Sequence, residues 1–448
     1  MHEEIRYFVI FFVFLIFLTL LFANFGKYDI PIYILLITCV VALFREKYFL
    51  IFLYIVILPT NGLIPLDRNL LGILGFREVV NSFTLLSLLI YFPLKKNIHL
   101  NQKIAIILTV FLFVYANYMN FINIDIGYGA FIKKLLKNIF MFFPLVLLIS
   151  NIENKKISEV IKSGIYVSVI IIVLSQIFSD SLQHFGILMQ SYSRYEEITT
   201  SDVFRKAGIF GAGGDVNSLS GFLAITIGFY LSRIENKEKL KKFIPVIIFA
   251  IIGILITISV TGFLAMTLII SIFLIRNLKN KGFFRFIIYI ILIYIIFYFS
   301  QNLFSNIFTR LPINQEEFLE SSGNTRIQGW GFFLNYIFSN LKVFFLGTRE
   351  SFSVVYGWNY ERVAHNFYIS IFFCSGIFPV LFIVNILRKY IKLALKKLLK
   401  YNIIYTFLPL LLISMTVSDY GYFLIFILTI GLNEICNQSN YDRIKLGS

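Results

Sequence analysis

Long, continuous apolar runs recur along the whole sequence. Hydrophobic residues make up 58% of the 448 residues and charged residues only 14%, which leaves too little polar surface for a soluble globular domain. Inside a bilayer, only helix bundles and closed barrels satisfy their own backbone hydrogen-bonding groups. The runs are continuous rather than alternating, which excludes an outer-membrane barrel. The sequence therefore predicts an all-α integral membrane protein.

A helix needs roughly 20 residues to cross the hydrocarbon core of a bilayer, and about 14 (12–14) runs approach that length. The first run follows a single basic residue and lacks a small-residue cleavage site, which favours a span over a removed signal. We predict one polytopic membrane domain, residues 1–448. The runs are centred near residues 16, 37, 54, 86, 112, 141, 168, 225, 250, 269, 292, 376, 409 and 427.

The net charge of +16 would suggest a nucleic-acid partner in a soluble protein. Here the basic residues lie in short loops between the runs, where they set orientation and meet anionic headgroups. We therefore predict no nucleic-acid partner. With the N-terminus inside, the loops alternate so that most of the 40 Lys and Arg are cytoplasmic, and the C-terminus is cytoplasmic too.

Two outside loops are long, at residues 180–216 and 301–364. Within the second, residues 327–341 are apolar and aromatic at roughly helical spacing, which predicts an amphipathic helix on the membrane surface. Long loops are usually functional, so the chemistry is expected outside.

Several site motifs are missing from the sequence. It has no phosphate loop of the Walker type, no dinucleotide glycine fingerprint, no HExxH and no Asp-x-Asp, and its three cysteines suggest neither a disulfide nor a metal cluster. We predict no metal and no cofactor. An outward-facing enzyme also has no nucleotide supply, so its activated substrate must arrive in the membrane, and a lipid pyrophosphate is the obvious class.

His365 follows Ala364 at the end of the second long loop, where a span begins. An imidazole titrates near neutral pH and can take a proton from a sugar hydroxyl. The structural alternative is an interfacial or N-cap histidine, and Asn366 is an equally good cap.

The arginines of the long loops are candidates for binding pyrophosphate. Arg205 opens a glycine-rich segment that ends at Asn217, and Arg326 precedes the amphipathic segment; Arg349 and Arg362 lie further along the second loop. A guanidinium group binds phosphate through paired hydrogen bonds and stabilises charge on a leaving group. The alternatives are a headgroup contact or a salt bridge within the loop.

Lys133, Lys134 and Lys137 fall near the outer end of the sixth run, where the orientation rule does not expect them. Charges at such depth usually face protein or a water-filled cavity, so these lysines are candidates to line an access route for the lipid pyrophosphate. Alternatively, they reach outer headgroups along their alkyl stems. Arg77 and Glu78, at the head of the fourth run, are predicted to form a mutual pair. Arg77 and Asn217 are further candidates for binding the pyrophosphate or the glycan.

In order, four segments resemble the O-antigen polymerase and ligase superfamily of bacterial envelope enzymes. Residues 205–221 are similar to the family's Arg-x-x-Gly-x-Phe followed by Asn at a span start. Residues 257–262, Thr-Ile-Ser-Val-Thr-Gly, are similar to its Thr-x-Ser-Arg-x-Gly turn. Arg326 and Trp330, followed by residues 345–347, resemble the third segment, and residues 365–368 with Gly376 resemble the fourth. Val260 replaces the common arginine, and the second glycine after Gly347 is missing.

The resemblance implies a metal-independent, inverting glycosyltransferase of the membrane-embedded lipid-donor (GT-C-like) type. It implies an undecaprenyl-pyrophosphate-linked glycan as donor and acceptor, pyrophosphate held by Arg205 and Arg326, and a role for His365 at the acceptor hydroxyl. Such an enzyme lies in the bacterial inner membrane with a periplasmic active site. We favour an O-antigen polymerase, with a chain-length regulator as a further candidate partner. The alternatives are the ligase that transfers the polymer to lipid A core, and a flippase or transporter of lipid-linked oligosaccharides.

Overall fold

The computed structural model is helical throughout the part of the chain that it describes, and no strand occurs there. The all-α prediction is confirmed for these residues. The described residues are 2–24, 29–60, 76–95, 98–122, 128–179, 181, 216–235, 242–257, 259–281, 322–348, 366–396, 402–414, 426–430 and 432.

The helices follow one another with short connections wherever the connections are described. In chain order they are α1 His2–Asn24, α2 Asp29–Arg45, α3 Lys47–Ile57, α4 Phe76–Tyr91, α5 Leu100–Ile122, α6 Tyr128–Ser150, α7 Lys155–Ile177, α8 Val216–Glu235, α9 Ile244–Thr257, α10 Val260–Lys281, α11 Ser322–Ser339, α12 Leu341–Leu346, α13 Phe367–Ser375, α14 Ile377–Lys396 and α15 Asn402–Ser414.

The predicted runs centred near residues 16 to 269 correspond one by one to α1–α10, and the run near 409 is α15. Two of these helices, in α5 and α7, are long and apolar enough to cross a membrane by length and composition, at Leu100–Met119 and Lys155–Ile177. Shorter apolar helices lie in α1, α2, α3, α9, α10 and α15. The run centred near 292 lies outside the described residues.

The run centred near 376 is not one helix. It divides into α13 and α14 at Gly376, whose φ of 77° is left-handed and therefore favours glycine. The amphipathic segment at 327–341 is helical, as predicted, but its helix α11 already begins at Ser322. Arg326 thus belongs to the second turn of α11 rather than to the loop before it.

The described helices fall into two compact units, with α1–α7 in the first and α8–α15 in the second. The prediction of a single membrane domain stays a prediction. In the first unit, α3 lies against α2, α4 and α7, and α6 packs on both α4 and α5. Every residue of α3 from Phe49 to Ile57 is buried. A Cβ added at Gly164 of α7 would lie 2.7 Å from Cγ2 of Ile55, so this glycine permits the close approach of α7 and α3.

In the second unit, α8 packs against α9, α10 and α15. Gly228 of α8 lies directly against the backbone of Tyr405 in α15, since an added Cβ would be 1.8 Å from its carbonyl oxygen. Beside these helices, α11, α12 and α13 pack on one another. The fully buried ring of Phe333 meets that of Phe373 edge-on at 5.2 Å. Apolar and aromatic contacts thus dominate the packing within both units.

Candidate functional site

A buried carboxylate and a lysine join the start of α4 to α6. Lys137 Nζ lies 3.3 Å from Glu78 Oε1, with the Glu78 side chain 11% exposed and the Lys137 side chain 35% exposed. Glu78 sits in the first turn of α4, where the helix dipole favours a negative charge. The sequence predicts a neighbouring partner, Arg77, and does not predict this ion pair across two helices.

Arg77 also reaches α6. Its Nη2 lies 2.8 Å from Sδ of Met141, a weak acceptor, and the carbonyl oxygen of Met141 accepts a hydrogen bond of 2.5 Å from the buried hydroxyl of Tyr54 in α3. Met141 of α6 therefore contacts both the start of α4, through Arg77, and the last part of α3, through Tyr54. Lys133 and Lys134 are half-buried one turn before Lys137. We call Arg77, Lys133, Lys134 and Lys137 the α4/α6 cationic cluster.

A polar side chain lies beneath this cluster. Asn81 follows Arg77 at i+4 and Glu78 at i+3, so all three share one face of α4. Asn81 is 1% exposed, and its Oδ1 has no hydrogen-bond partner among the described residues. Further along α6, Asn138 donates to Asn117 of α5 at 3.0 Å. The cluster thus lies beside one buried and two half-buried asparagines, unlike a set of lysines on a solvated face.

The opposite end of the first unit carries a different set of contacts. Lys47 Nζ lies 4.7 Å from the ring centroid of Tyr91 and 5.2 Å from that of Phe92. Glu153 accepts from Lys95 at 3.3 Å and pairs with His99 at 3.0 Å. Four helices, α3, α4, α5 and α6, have one end at this set of contacts and the other end near the cationic cluster. They therefore run between the two ends of the unit.

In the second unit, two of the segments that resemble the polymerase and ligase superfamily meet directly. Ser220 Oγ in α8 lies 2.8 Å from the carbonyl oxygen of Asn217 and 3.0 Å from Ser259 Oγ. Ser259 donates to Asn217 Oδ1 at 3.0 Å and accepts from the backbone N–H of Gly262 at 3.3 Å. An added Cβ at Gly262 would lie 2.3 Å from Cβ of Ser220. Gly262 therefore permits the close packing of α10 on α8.

The fourth segment begins at the same end of the second unit. Asn366 is the N-cap of α13, accepting from the N–H groups of Tyr368 and Ile369 at 3.0 and 3.1 Å. Tyr368 Oη is hydrogen-bonded to Ser414 Oγ, the last residue of α15, at 3.1 Å. The preceding residue, Ile413, contacts Gly221 near the start of α8. The N-termini of α8, α10 and α13 thus gather around the C-terminus of α15.

Several predicted site residues lie outside the described residues: His365, Arg205, Arg349 and Arg362. For Arg326, the structure describes only the backbone, within α11. Lys137 and Arg77 both reach across the α4/α6 interface, and Lys133 and Lys134 lie one turn before Lys137 on α6. Asn217 holds the start of α8 to the start of α10. Within the part of the chain that is described, no group of three or more His, Cys, Asp or Glu side chains is arranged to hold a metal.

Sequence reasoning missed two polar features. Asn81 had a signal, a polar residue spaced one helical turn from Arg77 within an apolar run. The Tyr368–Ser414 bond had none, because it joins residues 46 positions apart.

In comparisons with known proteins, no family model, curated protein or solved structure matches this chain.

Proposed function

We propose that this protein is an O-antigen polymerase of the bacterial inner membrane. It transfers a growing glycan from undecaprenyl pyrophosphate to the next lipid-linked repeat unit at the periplasmic face. In this proposal the chain forms a bundle of about 14 transmembrane helices, with its termini cytoplasmic and the long loops 180–216 and 301–364 periplasmic.

One observation carries the proposal. The first, second and fourth of the segments that resemble the superfamily lie far apart in sequence, yet each begins a helix at one end of the second unit. In the third segment, Gly347 lies at the opposite end of α13, against Cys374. Asn217 and Ser259 are directly hydrogen-bonded, and Asn366 caps the helix whose Tyr368 is bonded to Ser414. Arg205 precedes the first of these segments and His365 immediately precedes Asn366 in the chain. The meeting of these helix starts supports the proposal.

The outward faces of the first unit support a membrane location. Large apolar side chains are highly exposed on α1, α2 and α5, including Phe17 at 59%, Ile37 at 64% and Val114 at 57%. In water, contiguous apolar surface of this kind is unfavourable, whereas lipid tails solvate it at no cost. These faces belong to helices whose inward sides are packed with apolar residues as well, so the helices are apolar all round, as membrane spans are.

The proposed chemistry is a direct displacement at the anomeric carbon of the donor glycan. A hydroxyl oxygen of the acceptor forms the new glycosidic bond, while the bond from the anomeric carbon to the diphosphate oxygen breaks. The hydroxyl proton passes to the imidazole of His365. The electron pair leaves with the diphosphate, whose charge is stabilised by Arg205 and Arg326. Attack from the opposite face inverts the anomeric configuration.

A flippase or transporter of lipid-linked oligosaccharides is the second candidate function. The observation that favours it is the helix break at Gly376, because discontinuous helices are typical of transporter substrate sites. The ligase of the same superfamily shares the segments described above, and its proposed chemistry differs only in the acceptor, which is lipid A core.

The experiment is the lipopolysaccharide banding pattern of a strain that lacks this protein, complemented with wild type, His365→Ala, Arg205→Ala or Arg326→Ala. His99→Ala, at the opposite end of the first unit, is the matched histidine control. A polymerase gives core bearing a single repeat unit in the deletion strain, with the ladder restored by wild type and His99→Ala only. Bare core with accumulated lipid-linked polymer identifies a ligase. An unchanged ladder contradicts both enzymes, and it also contradicts a flippase that supplies their lipid-linked substrate.

A further inference from the structure

The α4/α6 cationic cluster contains its own anion. Arg77, Lys133, Lys134 and Lys137 lie at the start of α4 and along α6, and the carboxylate among them is that of Glu78, paired with Lys137 at 3.3 Å. Of the two partners, the carboxylate is the more deeply buried, with 11% of its side chain exposed. Among the described residues there, four positively charged side chains accompany one carboxylate, in a place partly withdrawn from water.

Glu78 occupies a position that suits any anion. It lies in the first turn of α4, where the helix dipole favours negative charge, and it faces a lysine ammonium across the helix interface. A diphosphate needs the same two things, positive charge and hydrogen-bond donors. A carboxylate and a diphosphate therefore compete for Lys137 at this place.

The cluster is more than a group of surface lysines. Asn81, one turn further along the same face of α4, is buried and its Oδ1 lacks a partner among the described residues. A buried amide oxygen without a donor is costly, so a hydrogen-bond donor such as a bound water is expected beside it. The cations of the cluster, and not this acceptor oxygen, would hold a diphosphate. Arg77, Glu78 and Asn81 thus present a charged and polar face toward α6.

We propose that the cluster binds the diphosphate of the lipid-linked substrate and that Glu78 is a displaceable counter-anion that weakens this binding. The identity of the ligand rests on the proposed function. When the diphosphate arrives, Lys137 exchanges the carboxylate for a phosphate oxygen, while Arg77, Lys133 and Lys134 supply further positive charge. Each binding event must first break the Glu78–Lys137 pair, so the pair lowers the affinity.

This arrangement solves a problem of turnover. A polymerase must exchange its lipid-linked diphosphates after every transfer, and four cations without a counter-charge in a partly buried site would hold a diphosphate too tightly. A resident carboxylate takes Lys137 back as the diphosphate leaves. Glu78 is therefore a residue that sets affinity, and it takes part in no bond-making step.

The test is direct binding to the purified full-length protein in detergent at fixed ionic strength, with farnesyl diphosphate as probe and inorganic pyrophosphate as the probe without a lipid tail. Glu78→Gln is expected to tighten farnesyl diphosphate binding about tenfold, and Lys137→Met to weaken it. In the Lys137→Met background, Glu78→Gln is expected to have a smaller effect, because the competition for Lys137 is gone. Lys95→Met, which removes one of the two partners of Glu153 at the opposite end, is the matched charge control and should leave affinity unchanged.

Weaker or unchanged binding in folded Glu78→Gln overturns the proposal, as does an equal effect of Lys95→Met and Lys137→Met. If Glu78→Gln does not fold, Glu78→Asp is the variant to measure. Its shorter side chain weakens the ion pair with Lys137, so its affinity for farnesyl diphosphate should rise, but less than tenfold. Unchanged affinity overturns the proposal. Tight binding of pyrophosphate alone assigns the site to free phosphate rather than to a lipid. The binding assay needs no acceptor, so it can detect diphosphate binding at the cluster even if the banding pattern contradicts the polymerase. Conversely, if the banding pattern supports the polymerase but the cluster binds no diphosphate, only this inference is overturned.

Discussion

Gly347, at the end of α12, lies against the backbone of α13, and Gly376, at the end of α13, lies against the backbone of α12. An added Cβ at Gly347 would lie 2.3 Å from the carbonyl oxygen of Cys374, and one at Gly376 would lie 2.2 Å from that of Phe345. Both glycines cap their helices with positive φ, at 73° and 77°. The ends of α12 and α13 therefore meet backbone to backbone, and Thr348 N–H donates to Phe373 O at 2.8 Å beside them.

Gly347→Ala and Gly376→Ala are expected to lower the free energy of unfolding by about 1–3 kcal/mol each, since both the left-handed backbone and the close contact oppose a side chain. Thermal unfolding in detergent measures this. Gly329→Ala and Gly331→Ala in α11 are matched controls, because an added Cβ there meets nothing within 4 Å. Equal losses at all four positions would contradict the contact.

Gly262→Ala is expected to separate α10 from α8, because its new Cβ would collide with Ser220. The change should lower stability and, in the proposed polymerase, shorten or abolish the ladder. Pairing it with Ser220→Gly removes the colliding atoms and should recover part of the loss, as coupled neighbours do. Failure of that second change to recover anything would mean that the contact is unimportant. Gly129→Ala, with nothing within 4 Å, serves as the control.

Asn366 and His365 are adjacent, yet their substitutions are expected to act differently. Asn366→Ala removes the cap of α13 and should cost about 1 kcal/mol of stability, while Asn366→Ser or Asn366→Asp retains most of it. His365→Ala should abolish the ladder without lowering the unfolding temperature. Thermal unfolding together with the banding pattern separates the two roles. A large stability loss in His365→Ala would assign that residue a structural role.

Lipid exposure of α5 is a test of the membrane location. Val114 is 57% exposed and Leu112 only 2%, so a cysteine at 114 should accept a fluorescent label that a lipid-soluble quencher reaches. A cysteine at 112 should remain unlabelled in the folded protein. The measurement requires replacing the buried Cys39 and Cys374 and also Cys436. Quenching at 114 by a water-soluble quencher alone would contradict a lipid-facing α5.

The sequence predicts the helices far better than the contacts between them. Apolar runs locate α1–α10, because the length and polarity of a run depend only on neighbouring residues. The break at Gly376 depends on Phe345, about thirty positions earlier in the chain, and no local pattern reports that approach. The shared face of Lys133 and Lys137 follows from helical spacing, but the pairing of Lys137 with Glu78 requires the packing of α6 on α4. His365 and the loop arginines remain predictions.

The fully buried helix α3 and its neighbours set the depth of the cationic cluster. Along α4, Glu78 lies about 20 Å from Tyr91 at the opposite end, and along α6, Lys137 lies about 20 Å from Ser150, at 1.5 Å per residue. The hydrocarbon core of a bilayer is about 30 Å thick. In the proposed orientation, with Tyr91 near the cytoplasmic surface, the cluster lies about 10 Å below the periplasmic one. A polyprenyl diphosphate would then keep its tail among the acyl chains while its diphosphate enters the protein from the side. Access from the lipid, rather than from the aqueous phase, would therefore decide which molecules reach these charges.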